Sequence, residues 1–307
     1  MTRQPHPLAA PPRPVARRRA RPLNEQAPES RTPWNGPAFA DVEHPCRHLD
    51  PVVAQSARVE DFLLGGRTNF AGDRAAGRQV IDGRAGAGDD AVARKRFRAR
   101  AMAYLAAAGV TQWLDLGCGL PRPHWWTTDL PADIHHLAAP GSTVVHIDRD
   151  PVVMTHARAL LRARDDGPVR VRHLEADITD FSAVLGTDLP IRRERPVALL
   201  LFDVLHEIAD ADQVVRAYQA AVAPGSLLVI SHRSADSEDG QADASSHALA
   251  GLPYTARSRE EVTRLCADWE LLGPALCPLT DWSPALSPDD LSAQRRAGGY
   301  AVVARKP

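Results

Sequence analysis

The sequence predicts an α/β fold built on a mostly parallel sheet, and three observations carry that prediction. From about residue 110 onward, short β-rich runs alternate with helical stretches of roughly ten to fifteen residues, the pattern of successive βαβ units. One run, Val197-Ala-Leu-Leu-Leu-Phe202, is apolar throughout, as a central strand covered by helices on both faces requires. The 307 residues are 44% hydrophobic and 24% charged, with no apolar run of the roughly eighteen residues a membrane helix needs, which suits one sizeable buried core.

The elements follow in order. Nine of the 26 prolines fall within residues 1–37, where apolar periodicity is absent, so residues 1–40 are expected to form a disordered Arg/Pro-rich leader. Residues 1–32 carry seven arginines against two acids, which leaves the rest of the chain at net −6. A mildly acidic body disfavours a folded surface built for nucleic acid, although the basic tail leaves RNA contact open. The four cysteines form no C-x-x-C pair and no cluster with histidine at the spacing of a zinc site, so neither a disulfide framework nor a metal site is expected. With no secretory signal pattern, the expected location is the cytoplasm. Nothing in the sequence bears on oligomeric state.

Residues 41–109 read as an N-terminal helical extension, with Ala-rich helical patterns at 70–82 and 89–108. The sheet domain then occupies 110–307. Its parallel strands are expected at Val110–Leu116, Thr143–Asp148, Val169–Glu175, Val197–Phe202 and Ser226–Ser231. Asp150-Pro151 opens a helix as N-cap and first helical residue, with Val153, Ala157, Leu160 and Leu161 as its buried stripe. A helix over Asp210–Ala223 ends at Pro224-Gly225, where proline stops the helix and glycine permits reversal. Asp236–Ser246, polar and glycine-containing, reads as a mobile loop. A helix at Arg257–Ala267 leads to Trp269–Leu276 and, after a Pro-rich excursion, to Gly299–Ala304, a candidate antiparallel edge pair.

Chemistry concentrates at the expected strand ends. Leu114-Asp115-Leu116-Gly117-Cys118-Gly119 closes the first strand, and its small residues let backbone approach a ligand closely. The third glycine of a dinucleotide fingerprint is missing, since Arg122 stands there, which lowers an NAD or FAD reading. Asp115 favours a ligand carrying a positive amino group and a sulfonium. Asp148, 29 residues beyond Gly119, ends the second strand where a ribose diol donates to a carboxylate. Asp177 and Ile178 end the third strand, suited to an adenine amino group and ring face. Taken singly, each acid also reads as a helix cap or a solvated loop end.

Together these residues resemble the actinobacterial S-adenosyl methyltransferase family over most of residues 57–307. The most specific match is Arg58-Val-Glu-Asp61-Phe-Leu-Leu-Gly65-Gly66-Arg-Thr-Asn69-Phe70, similar to that family's D-x-x-L-G-G-x-x-N-F segment. Further matches are Leu114–Pro121, His146–Pro151, Ala198–His206, Ala223–Ser226 and Ala301–Pro307. The resemblance implies a Rossmann-like methyltransferase fold with a seven-stranded sheet, an antiparallel last strand, and S-adenosylmethionine at the strand ends under an N-terminal lid. The implied cofactor contacts are Asp115, Gly117, Cys118, Gly119, Asp148, Arg149, Asp177, Ile178 and Phe202, with Gly65, Gly66 and Asn69 from the lid. Asn69 and Arg67 also read as part of a tight turn joining two helices. The segment Trp125-Trp126-Thr-Thr-Asp129 departs from the family's Asn-x-His-Glu pattern, and Arg94-Lys95 from its Asn-Arg.

Methyl transfer from a sulfonium is an in-line displacement in which positioning supplies much of the rate, so no catalytic triad is required. His206, with Asp203 and Glu207 beside it, is the candidate base, against a structural reading of the same histidine. The acceptor is expected to be a small molecule. Two other classes stay open: a cofactor-binding regulatory or interaction protein without turnover, and an NAD(P)-dependent oxidoreductase. A methyltransferase for base amino groups is disfavoured, because Phe202-Asp203-Val204-Leu205 stands where an Asn-Pro-Pro or Asp-Pro-Pro motif belongs.

Overall fold

A computed structural model describes residues 49–121, 134–161, 169–283 and 299–307, which belong to one compact unit, Cys46–Pro307. The expected leader and Trp125-Trp126 lie outside the described residues.

Three helices open the chain: α1 (Ser56–Leu63), α2 (Ala71–Gly83) and α3 (Ala87–Ala107). The sheet elements follow as β1 (Gln112–Leu116), α4 (Ile134–Leu137), β2 (Thr143–Asp148), α5 (Pro151–Leu160), β3 (Arg170–Glu175), α6 (Phe181–Leu185) and β4 (Ala198–Phe202). After a 3₁₀ turn at Leu205–Glu207 come α7 (Ala211–Ala220), β5 (Leu227–Arg233), α8 (Glu238–Leu249), α9 (Arg259–Leu265), β6 (Glu270–Pro278) and β7 (Gly299–Arg305).

The seven strands form one sheet in the order β3-β2-β1-β4-β5-β7-β6. Strands β1 to β5 pair in parallel, whereas β7 runs antiparallel to both β5 and β6. The chain builds outward from β1 through β2 to β3, then returns to place β4 on the other side of β1. That reversal opens a crevice beyond the carboxyl ends of β1 and β4, where ligands bind in open α/β sheets.

Every residue of β1, β2, β4 and β5 is buried, because alternate side chains enter cores on opposite faces of the sheet. On one face Leu114, Ile147, Leu199 and Ile230 pack with Val214 and Tyr218 of α7 and Val262 of α9. On the other, Trp113, Val144, Leu200 and Val229 pack with Phe97, Met102 and Leu105 of α3 and with Trp282. Helix α3 is therefore part of the sheet's own core.

Helix α5 starts as its sequence dictates, with Asp150 accepting from Val152 N at 2.8 Å and Pro151 at the first helical position. Its buried stripe is Val153, Met154 and Ala157, whereas Leu160 is 40% exposed. The expected mobile loop at Asp236–Ser246 is instead helix α8. Ser237 caps it by accepting from Gly240 N at 3.1 Å, and Glu238 and Asp239 occupy the first turn. Its inward face is polar: Asp243 meets Arg84 at 3.3 Å and Arg233 at 3.4 Å.

Candidate active site

The site grows from the loop after β1. Gly117 and Gly119 have φ of +71° and +67°, the left-handed region that favours glycine. Gly117 N and Cys118 N both donate to Ile147 O at 2.9 Å, folding the loop back onto β2. A Cβ on Gly117 would lie 2.5 Å from Val204 Cγ2, whereas one on Gly119 would meet nothing within 4 Å. Gly119 thus exposes bare backbone on the wall of a cleft.

That cleft spans about 1140 Å³ of empty space, its open mouth to solvent included. Its floor is the loop after β1 with the ends of β2, β3 and β4. Its sides come from Arg94, Lys95 and Arg98 of α3 and from Ser231 and Arg233 of β5. Ser56, Val59, Glu60 and Leu63 of α1 also line it.

At the β2 end, Asp148 Oδ2 accepts from Gly119 N at 3.0 Å and Oδ1 from Asp150 N at 2.9 Å. Burial nevertheless dominates these bonds and pushes its carboxyl up to about 6. At the β3 end, Asp177 Oδ1 accepts from Thr179 N at 2.9 Å and Thr179 Oγ1 at 2.7 Å. Burial opposes ionisation there, but those bonds and Arg149 outweigh it and hold Asp177 below the usual carboxylate range. Arg149 spans from Asp177, at 3.5 Å, to Glu207, at 3.1 Å. Burial pushes Glu207 up to about 7, into the range where a carboxyl exchanges protons near neutrality.

At the β4 end, Asp203 adopts φ +52°, an unusual conformation for a side-chain-bearing residue. Arg233 holds it with two bonds, Nε to Oδ1 at 2.9 Å and Nη2 to Oδ2 at 3.1 Å, and Arg94 Nε approaches Oδ2 to 2.6 Å. Burial alone would raise its pKa; the two guanidiniums outweigh it and hold Asp203 well below the usual range. His206 is buried, and that burial keeps its imidazole neutral despite Asp203 nearby. Its Nδ1 lies 3.7 Å from Asp203 Oδ1, too far for a hydrogen bond.

Most sequence-predicted site residues converge on this cleft: Gly117, Cys118, Gly119, Asp148, Arg149, Asp177, Ile178, Phe202, Asp203 and His206 all line it. Four do not. Asp115 is fully buried behind the loop, where its Oδ2 receives Arg98 Nη2 at 2.8 Å and His146 Nδ1 at 2.9 Å. Burial pushes its pKa up, but Arg98 and His146 outweigh this and lower it. It braces Arg98, whose Nη1 donates to Cys118 O at 3.3 Å, and does not line the cleft.

Gly65, Gly66 and Asn69 form the turn between α1 and α2. Gly65 has φ +72°, and a Cβ on Gly66 would collide with the Asp61 carboxylate. Asn69 Nδ2 donates to Asp61 Oδ2 at 2.8 Å and to Gly66 O at 3.0 Å. The contact to the cleft is made one helix earlier, by α1 itself, which Arg58 ties to Asp150 at 3.2 Å.

The fold also gathers Asp115, Cys118 and His146 so that one donor atom of each lies within 4.8 Å of the others. Sequence spacing gave no sign of that cluster. Arg98 already lies on its carboxylate, so a metal cation there would meet a guanidinium.

Sequence reasoning gave no role to Arg98 or Arg233, and it singled out Arg94 and Lys95 only as a departure from the family pattern and Glu207 only as a neighbour of His206. One signal for Arg94 was available: with Phe97, Ala101 and Leu105 it falls on a single helical face, a charge within an apolar stripe.

Comparison with known proteins gives the family. Residues 42–307 match the family described as S-adenosyl methyltransferase. A DUF574 family protein from Streptomyces avermitilis MA-4680 superposes with TM-score 0.71 at 28% identity, covering 83% of this chain and 98% of that one. A candidate methyltransferase from Thermobifida fusca YX gives TM-score 0.70 at 33% identity, covering 86% and 99%. None of the curated proteins compared with the chain matches it. No described helix is long and apolar enough to cross a membrane. The glycine loop that bares its backbone to the cleft, with acids at the next two strand ends, suits S-adenosylmethionine, and this chain belongs to the S-adenosyl methyltransferase family as an S-adenosylmethionine-dependent methyltransferase.

Proposed function

We propose that the chain methylates a small-molecule acceptor within this cleft, with the cofactor toward β1–β3 and the acceptor toward β4–β5. One observation carries the reading. Gly119, Asp148 and Asp177 open at successive strand ends into the same cleft whose far end holds Arg94, His206, Ser231 and Arg233. S-adenosylmethionine supplies a methyl group on a sulfonium, a good leaving group.

The chain's residues supply position. Gly117–Gly119 let the cofactor lie against backbone. Asp148 accepts from the ribose hydroxyls, Ile178 and Asp177 meet the adenine, and Arg149 closes that end, while Phe202, at the end of β4, packs under Arg98 beside the glycine loop. Arg98, braced by Asp115, holds the loop. Gly65, Gly66 and Asn69 act indirectly by fixing the turn that sets α1 over the cleft.

Asp203 is too strongly ion-paired to serve as a base and instead orients Arg94 and Arg233. Neutral His206 can take a proton but is a weak base. Glu207, near 7, is the better matched proton acceptor where the acceptor must lose one. The cover provided by α1 suits a small acceptor better than a polymer.

The test is methyl-labelled S-adenosylmethionine supplied with the protein and a cell extract. The reading expects label in low-molecular-weight material. Label confined to RNA, DNA or protein would overturn the small-molecule acceptor.

A further inference from the structure

The β4–β5 end of the cleft contains buried polar atoms with no hydrogen-bond partner among the described residues: all three guanidinium nitrogens of Arg94, Nδ1 of His206 and Oγ of Ser231. All three residues line the cleft. The Arg94 side chain is 2% exposed, and its close acidic contacts use Nε, 2.6 Å from Asp203 Oδ2 and 3.9 Å from Glu60 Oε1. The two terminal nitrogens, with four N–H donors between them, are therefore out of water and unused. Such a group is costly to bury unless something completes it.

The geometry of the unused atoms indicates what completes them. Nη1 and Nη2 form one edge of a planar fork, which the two coplanar oxygens of a carboxylate meet bidentately. Asp203 is shared by Arg94 and Arg233, Arg233 also meets Asp243 at 3.4 Å, and Lys95 is matched by Glu60 at 2.9 Å, so the local charges are close to balance and a carboxylate adds less charge there than a phosphate dianion. The methionine carboxylate of the cofactor is the less suited partner. Arg98, one helical turn along α3, is the residue that reaches the glycine loop, through Cys118 O at 3.3 Å, and Arg94 is directed instead to Asp203 after β4.

Resting on the proposed reading of the cleft, we infer that the methyl acceptor carries a carboxylate. Arg94 holds it through Nη1 and Nη2, and Ser231 Oγ donates to the same group.

The test uses the full chain saturated with S-adenosylhomocysteine and titrated calorimetrically with benzoate, benzamide and phenyl phosphate. Saturable benzoate binding is expected, at least tenfold tighter than either of the others. Arg94→Lys keeps a charge beside Asp203 but loses the fork, and is expected to weaken benzoate at least tenfold while S-adenosylhomocysteine affinity stays within twofold. Ser231→Ala, should the Arg94 variant fail to fold, is expected to weaken benzoate severalfold. Equal binding of acid and amide, a preference for phenyl phosphate, no benzoate binding, or undiminished binding by a folded variant would overturn the inference. Loss of S-adenosylhomocysteine from Arg94→Lys would reassign Arg94 to the cofactor and overturn the inference while leaving the proposed function standing. Failure of the wild-type chain to take up S-adenosylhomocysteine would defeat both.

Discussion

Replacing Asp148 by asparagine separates binding from stability at the residue proposed to hold the ribose. Burial raises this carboxyl from the usual 3.8 to about 6, so the fold disfavours its charged form by about 3 kcal/mol. The sign follows from the raised value. The unliganded fold binds a proton that the unfolded chain has released, and it loses stability as the pH rises from about 4 to about 6. An amide at this position carries no such charge, but its nitrogen faces one of the two backbone N–H groups that the carboxylate accepts from, so the relieved charge and the lost bond oppose each other and the melting temperature at pH 7 should change little. Cofactor binding, by contrast, should weaken. A ribose hydroxyl donates more strongly to a carboxylate than to an amide, and the loss should be about 1.5–3 kcal/mol, or roughly tenfold to 150-fold in Kd. The wild-type protein should also bind S-adenosylhomocysteine about tenfold more weakly at pH 5 than at pH 7, because only about a tenth of Asp148 is then ionised. Calorimetry across pH 5–8 is the assay, with Glu207→Gln as a background that removes the other carboxyl titrating in this range. An Asp148→Asn protein with wild-type affinity and an undiminished pH dependence would refute the assignment.

Other substitutions follow from the same geometry. Asp115→Ala leaves Arg98 and His146 without their buried partner, and chemical denaturation should show a loss of about 3–5 kcal/mol. Because the Asp115 pKa is depressed, the stability it contributes is present above the normal carboxylate range and lost as acid titrates the folded carboxyl. Gly119→Ala meets no neighbour within 4 Å but keeps φ +67°. Denaturation should register about 1–2 kcal/mol of backbone strain, and S-adenosylhomocysteine affinity should fall further than that, since the new methyl group faces the cleft. Asn69→Ala removes three side-chain bonds of the α1–α2 turn, to Asp61, Gly66 and Arg74, and should cost about 1–2 kcal/mol of stability, with cofactor affinity nearly unchanged in calorimetry; a selective loss of affinity would return Asn69 to the cofactor contacts.

What the sequence disclosed, and what it hid, follows the range of the interactions involved. Strand β4 was legible because a strand covered on both faces has to be apolar throughout, and α5 was legible because Asp150 and Pro151 act on their own helix. Helix α8 was not, since its buried face is made of Asp243, Ser246 and His247, and polar burial is recognisable only when Arg84 and Arg233 are known to be opposite. The acids at the ends of β2 and β3 were found because strand ends position them. That Asp115 sits behind the glycine loop was not legible, because its partners Arg98 and His146 lie 17 and 31 residues away, and their convergence is a product of folding. The Gly65-Gly66 pair correctly marked a turn; that the preceding helix, and not the turn, covers the cleft depends on how α1 packs. Arg94 gave a visible sign on α3, yet its meaning depends on Asp203, which comes from the far side of the sheet's reversal.

The most direct test of the assigned site is a crystal structure with S-adenosylhomocysteine bound. The account predicts the ligand at the carboxyl ends of β1–β3, its ribose hydroxyls against Asp148 and its adenine beside Asp177 and Ile178, with the thioether directed toward Arg94 and Ser231. Ligand density outside this cleft, or a ribose making no contact with Asp148, would contradict it.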